Sequence, residues 1–467
     1  MPRQIVIVLT FILLFLEWRN PLVAQNKSDV NYIAEIKIIG NKTTKGKIII
    51  RELPFQLGDS IPRTELDKIL ERAKSNLLNT LLFNFVTVEV VHFDSLHISI
   101  YITVEERWYW WPIPIFDVQE NNFNTWWVEK SLDRANYGMF VAKENFRGRR
   151  ERIAIKFQKG YTEQIGFKYA NPYINKNRTQ GFSVTSMYSR NHEIIYNTTE
   201  NKRAFYKSEP AYIKEEYYSQ FSYEFRPKLY NIHRFLLGYR NIQVTDSLLL
   251  FNPNYLSEGK SKGQFLSLQY FLSRDKRNFK SYPTKGYFYS FRLKQDGLNL
   301  LDSDVNSFYS TVDYRKFFQL TDRLFLSHSI NGKYSFTKAP YYLISGLGYG
   351  SNLVRGYELY VINGDHYGLL KSQLRYALLT NKIFNVSPIP FDEFNKIPLS
   401  IYIGMYFDAG YVDSKAMRSN NFLTNTLLYG GGFSMDFVSY YDIVFRIEYS
   451  INRMKEHGLF LHFVAPI

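Results

Sequence analysis

Two hydrophobic periodicities divide the chain. Between residues 31 and 107 the spacing of apolar positions changes several times. Ile33 and residues 35–39 read as a short strand closed by Gly40 and Asn41. Thr43 and Thr44 stand where they can cap a helix over residues 45–52. Leu53 and Pro54 stop it, and Gly58 with Asp59 makes a turn. Leu66, Ile69, Leu70, Ala73, Leu77 and Leu81 then recur on one face of a second helix, with Thr64 placed to cap it. Val86, Val88 and Val90, then Ile98, Ile100 and Ile102, repeat at period two and predict two strands. The order β-α-α-β-β describes a small α+β domain. Its strand at residues 85–91 (Phe85, Val86, Val88, Val90) is expected to offer an edge for pairing with another chain.

From residue 108 to 467 the pattern changes and no convincing helix remains. Tyr287, Tyr289, Phe291 and Leu293 alternate with Phe288, Ser290, Arg292 and Lys294. Ile443, Phe445, Ile447, Tyr449 and Ile451 alternate with Val444, Arg446, Glu448, Ser450 and Asn452. Strands of a soluble sandwich usually run about five or six residues. These runs are about ten, with aromatic ends, which matches a tilted crossing of an outer membrane. About sixteen can be placed, an even count as a single-chain bacterial barrel requires. They start near Tyr109, Tyr137, Glu151, Gln164, Gly181, Tyr217, His233, Gln264, Gly286, Ser307, Leu324, His366, Leu399, Leu427, Ile443 and His457. Two linkers are long, residues 191–216 and 338–365. The expected fold class is therefore an all-β transmembrane barrel with one small N-terminal α+β domain.

Composition narrows the function classes. The 467 residues contain no cysteine, which excludes disulfides, thiol catalysis and cysteine-ligated zinc. The 38 Tyr and 38 Phe suit many half-buried strands. The net charge of +15 raises nucleic acid as a partner. Nearly all of that excess lies after residue 107, scattered singly among aromatics, as on a lumen wall or beside anionic lipid headgroups. No nucleic-acid partner is expected. Arg3, an apolar run over residues 5–16, and Ala24 follow the order of a secretory signal over residues 1–24. None of the eight His falls in a spacing such as H-E-x-x-H, and neither G-x-S-x-G nor a phosphate-cradling loop occurs. No catalytic set, cofactor or metal is expected. Gly346, Gly348 and Gly350 read as flexibility in the second long linker, and Gly430, Gly431 and Gly432 as room for a kink or close approach. Trp108, Trp110, Trp111, Trp126 and Trp127 read as an interfacial belt.

A set of motifs then carries a resemblance. Val354, Arg355, Gly356 and Tyr357 lie in the long loop before the twelfth strand, and the thirteenth ends in Phe407, Asp408, Ala409 and Gly410. Upstream stand Gly40-Asn41, Gly58-Asp59, Phe83 and Val104-Glu105-Glu106-Arg107. Residues 277–286, with Pro283, form a strand-entry pattern. Together these resemble the BamA/TamA superfamily of outer-membrane assembly and translocation barrels, with residues 31–107 as a POTRA domain and 108–467 as the barrel. Alternation along the thirteenth strand sends Asp408 to the lumen, and along the twelfth Gln373 and Arg375. An inward-folded loop would bring Arg355 to Asp408, where a guanidinium can bind in a bidentate fork. In the family the twelfth strand usually supplies a Glu to this Arg, and Gln373 stands there instead. Gly458, Leu461 and Phe463 resemble the recognition signal of barrel C-termini, although Val464, Ala465, Pro466 and Ile467 follow.

The resemblance implies a non-enzymatic protein of the outer membrane, its POTRA domain in the periplasm. Its expected partners are unfolded outer-membrane or secreted clients, membrane lipids including anionic lipopolysaccharide, and accessory periplasmic or lipoprotein subunits. It would fold or translocate clients through a lateral seam or the lumen. Dedicated passenger export and a passive porin are the alternatives.

Overall fold

A computed structural model describes residues 30–118, 130, 132–209, 211–257, 259–301, 304–385, 396–414, 421–439 and 443–463. The targeting segment at residues 1–24, Trp126, Trp127 and the tail after Phe463 lie outside the described residues.

The N-terminal unit packs two helices on a four-stranded sheet. Its elements are β1 (Val30–Ile39), α1 (Gly46–Arg51), β2 (Ser60–Pro62), α2 (Leu66–Leu78), β3 (Phe83–His92) and β4 (His97–Glu106). The strand order is β2-β1-β4-β3, with β1 and β4 parallel and the other pairs antiparallel. Ile98, Ile100 and Ile102 send alternate side chains to one face, where all three are fully buried with Ile33, Ile49, Leu77 and Phe83. β3 is an outer strand of this sheet. The expected threonine caps are absent: neither helix carries a side-chain cap. Glu106 instead accepts from the Thr43 and Thr44 amides, at 2.9 and 2.6 Å. Thr44 Oγ1 turns toward Tyr109 and Asn145.

Among the described residues after 109, sixteen strands form one antiparallel sheet. Its strands are β5 (Trp110–Val118), β6 (Ala135–Phe146), β7 (Glu151–Gly160), β8 (Thr162–Asn171), β9 (Gln180–Asn191), β12 (Lys214–Lys228), β13 (Asn231–Val244) and β14 (Lys262–Asp275). Then come β15 (Gly286–Asp296), β16 (Ser307–Gln319), β17 (Leu324–Ser335), β18 (His366–Asn385), β19 (Lys396–Asp413), β20 (Leu428–Val438), β21 (Val444–Asn452) and β22 (His457–His462). Every strand pairs with its neighbour in sequence, except where β10 (Glu193–Thr199) and β11 (Lys202–Lys207) form a separate hairpin between β9 and β12. Each begins within three residues of the position expected from alternation. The hairpin, and the short helix α3 (Asp246–Phe251), occupy stretches that alternation left as linker.

On the strands beside the lumen loop the two faces differ as a barrel between lipid and lumen requires. On β19 Ile403, Met405 and Phe407 are exposed, while Tyr402, Tyr406 and Asp408 are buried. On β18 Leu370 and Tyr376 are exposed, while Lys371, Gln373 and Arg375 are buried. Among the described residues no backbone ladder joins the two outer strands of this sheet, β5 and β22.

Candidate functional site

The loop between β17 and β18 folds into the lumen and brings Arg355 to the wall. Arg355 Nε and Nη2 donate to the two Asp408 oxygens at 2.8 and 2.6 Å, and its backbone N–H adds a third bond at 3.1 Å. The guanidinium carbon also lies 3.8 Å from the centre of the Tyr406 ring. Both charged side chains are inaccessible to solvent. Glycine makes the fit. A Cβ at Gly430 would meet the Arg355 carbonyl oxygen at 2.1 Å, so only a bare backbone at that position of β20 lets the loop lie on the wall. Gly410 seats Val354, whose Cγ2 would lie 2.6 Å from an added Cβ. Tyr357 is buried beside them. Gly356 takes φ of 95° and offers its carbonyl to Asn452 at 2.8 Å. The loop is not a flexible linker: Leu347 and Ile362 bridge across it, and a Cβ at Gly346 would strike the Ile362 oxygen at 2.0 Å.

Gln373 takes a different place from the one expected. It does not bond Arg355. Its amide accepts from Arg446 at 3.2 Å and donates to Ser434 at 3.0 Å. The second carboxylate near Arg355 comes from β21, where Glu448 Oε1 lies 3.5 Å from Nη1. Glu448 also meets Arg446 at 3.3 Å, and Arg446 grips Asp436 of β20 with bonds of 2.6 and 2.7 Å. Asp436 accepts from the Tyr282 hydroxyl at 2.5 Å, and Arg375 donates to the Pro283 carbonyl at 2.7 Å. A neutral amide at position 373 suits this company: it bridges two partners without adding a further buried charge.

Residues 276–285, which carry Tyr282 and Pro283, also touch the N-terminal unit. Arg72 donates to the Lys276 carbonyl at 3.1 Å and Asn79 to that of Asn278 at 2.8 Å. Arg51 reaches the carbonyls of Arg178 and Arg226. The strongest link is Glu52, whose two oxygens receive Arg226 Nη1 and Nη2 at 2.6 and 2.7 Å. Tyr173 adds a bond at 2.7 Å, and Arg150 stands at 3.4 Å. Burial alone would raise this carboxyl, but the Arg226 charge and its paired bonds, helped by Arg150 and Tyr173, hold it down to about 2. A cavity of about 910 Å³ lies between the unit and the barrel. Trp108 and Trp111 line it, so of the described tryptophans in the expected belt only Trp110, half exposed, points outward.

The remaining expected residues lie apart from this network. On β3, Val86 is buried, and Val88 and Val90 pack against the core of the small domain. Phe85 stands at the end nearest the barrel, its ring 5.5 Å below the Lys396 ammonium of β19. Gly458 and Leu461 are on β22, paired with Ser450 and Ile447. Phe463 follows the strand, exposed, with its ring 5.6 Å from that of Phe445.

The Omp85 superfamily domain model matches residues 145–438, most of the barrel and more than half of the chain. The chain belongs to the Omp85 superfamily. A second match, to the POTRA family described as a surface antigen variable number repeat, covers residues 31–107. This Omp85 protein therefore places its barrel in the outer membrane and its POTRA domain in the periplasm. Two solved structures share the fold. The crystal structure of BamA from Haemophilus ducreyi lacking POTRA domains 1–3 is 15% identical, with a TM-score of 0.52 over 93% of this chain and 83% of that one. CdiB from Escherichia coli is 11% identical, with a TM-score of 0.52 over 93% and 75%. No curated protein matches the chain significantly.

The family assignment also fixes the two ends of this Omp85 barrel. The turns after β8, β12 and β14 meet the POTRA domain and are periplasmic. The alternate ends, with the β10–β11 hairpin, α3 and the start of the loop at Tyr341 and Tyr342, are extracellular. There Tyr255, Tyr341 and Tyr342 pack with Ile194, Ile242 and Leu248. Sequence reasoning missed Glu448, Arg446, Asp436 and the Glu52–Arg226 lock. Alternation set Arg446 and Glu448 on the polar face of their strand, but the pairing of all three depends on strand register and on which loops enter the lumen.

Proposed function

We propose that this Omp85 protein inserts client β-strands into the outer membrane through the seam between β5 and β22. As a member of the superfamily it serves protein insertion or translocation, and the lateral route is the finer reading. One observation carries it: no backbone ladder joins these two strands among the described residues, in a sheet otherwise paired at every step. Unpaired strand edges attract a further strand. In hydrocarbon every backbone polar group must find a partner, so a client that pairs with such an edge enters lipid satisfied. The lumen favours this route over passage along the axis, since Arg355, Asp408, Glu448, Arg446 and Asp436 pack into it without solvent.

In this reading β3 of the POTRA domain receives clients by strand addition, with Phe85, Val86, Val88 and Val90 setting its register. Accessory periplasmic or lipoprotein subunits are its expected helpers, and anionic lipopolysaccharide surrounds the barrel. The deciding experiment is depletion of the protein followed by an inventory of the outer membrane. A joint fall of many barrel proteins supports insertion. Loss of a single secreted protein, with the barrel proteins unchanged, replaces this reading with dedicated passenger export.

A further inference from the structure

Three residues far apart in sequence converge where the lumen loop meets the last strand. Glu358 follows Tyr357 in the loop, Glu448 lies on β21, and His462 ends β22. One ligand atom from each lies within 4.8 Å of the others. His462 Nε2 is 2.9 Å from Glu448 Oε2 and 3.8 Å from Glu358 Oε1. Both carboxylates are fully buried, and the imidazole is 9% exposed.

Nε2 and Oε2 stand at ion-pair distance, yet neither atom has a partner in hydrogen-bond alignment, so their directional bonding is unmet. A buried carboxylate oxygen and a buried ring nitrogen left this way are costly. A shared cation removes that cost. Around tetrahedral zinc, with Zn–N and Zn–O bonds of about 2.0–2.2 Å, ligand atoms stand about 3.4 Å apart. The two separations here fall on either side of that spacing.

The surroundings orient the same atoms. Glu358 Oε2 accepts from the Gly356 amide at 2.9 Å, which leaves Oε1 toward the imidazole. Glu448 Oε1 faces Arg446 and Arg355, at 3.3 and 3.5 Å, which leaves Oε2 on the other side of the carboxylate. Outer hydrogen bonds of this kind commonly hold metal ligands in position. Each guanidinium is already matched by its own aspartate, Asp436 or Asp408. The two glutamates share the nearby Lys371 ammonium as a further positive charge.

We propose that Glu358, Glu448 and His462 bind one divalent transition-metal ion, with zinc favoured by the oxygen and nitrogen donors. The ion would staple the lumen loop to β22. Binding follows from the three residues alone, whereas a consequence for client entry rests on the seam reading above.

The test uses the full mature protein without a histidine tag, purified in detergent and stripped with a chelator. Zinc is titrated by calorimetry, and cobalt by its visible absorption. The expected result is one ion per chain, with affinity falling about 10–100-fold or more in Glu358→Gln and in His462→Ala. Heat-modified migration on gels identifies folded barrel, and the near-isosteric Glu358→Gln keeps the test decisive if His462→Ala does not fold. No uptake, or uptake unchanged in folded Glu358→Gln, overturns the site and leaves an adventitious ion only. Zinc should also slow proteolysis within residues 338–365 of the wild type but not of Glu358→Gln. Binding without that protection overturns the staple.

Discussion

At the scale of single residues the clamp rests on complete burial. Arg355 and Asp408 are both sealed from solvent, so neither can fall back on water when its partner is lost. Removing one member of such a pair costs roughly 3–5 kcal/mol, because the other charge is left uncompensated. Arg355→Ala and Asp408→Ala should each lower the urea midpoint of the folded barrel accordingly. The double variant should lose much less than the sum of the two, and additive losses would show that the residues act separately. The chemistry of this pair was legible in the sequence, since alternation turned Asp408 inward and the loop motif supplied the arginine. What surrounds it was not. Glu448 and Arg446 stand two residues apart on one inward face, a visible pattern. That they meet Arg355, Asp436 and Gln373 is decided by pairings such as Tyr406 with Gly432 and Gln373, which no local pattern encodes.

At the scale of elements the barrel strands were legible because each has one face in lipid and one in the lumen, so its own residues record the period. The β10–β11 hairpin and α3 were not. Their apolar residues pack against neighbouring loops, such as Ile194 and Leu248 beside Tyr255, and repeat no single period. The edge strand β3 carries a direct test. Val88 pairs with Ile102 of β4, and among the described residues no strand pairs with its other side. Val88→Pro removes a backbone donor and adds a ring that obstructs a ladder. Photocrosslinking of clients at Glu89 and Val91 should fall severalfold while circular dichroism of the purified POTRA domain keeps its helix signal. Undiminished crosslinking with the domain intact would move client docking to another surface. The lock between α1 and the barrel adds a pH dependence. Glu52 is held at about 2 against an ordinary 4.5, a difference of about 3 kcal/mol in favour of the docked state. A depressed carboxyl contributes above its free value and loses its contribution as pH falls toward the depressed one. Spin labels at Lys68→Cys and Lys228→Cys should therefore report a constant distance from about pH 8 to 5 and a broadened one between about 4.5 and 2. Glu52→Gln should be broadened already at neutral pH and show no such transition.

At the scale of the whole molecule the parts form one connected path. The POTRA domain grips residues 276–285 through Arg72 and Asn79. Tyr282 of that turn bonds Asp436, which holds Arg446, which meets Glu448 beside Arg355 of the lumen loop. Glu448 in turn approaches His462 of the last strand. On the proposed seam reading, a change in the periplasmic domain would reach β22 along these contacts, because moving one of them leaves a polar group to be paired again. The sharpest prediction concerns the seam itself. Since the chain has no cysteine, introduced pairs along β5 and β22 form the only disulfides available. A pair that crosslinks in the folded barrel should stop client insertion under oxidising conditions and restore it on reduction. Single cysteines at the same positions should be inert. The folded, crosslinked barrel should keep its heat-modified migration, which separates a locked seam from a damaged one. Full client insertion through a crosslinked seam would exclude the lateral route and direct attention to the lumen.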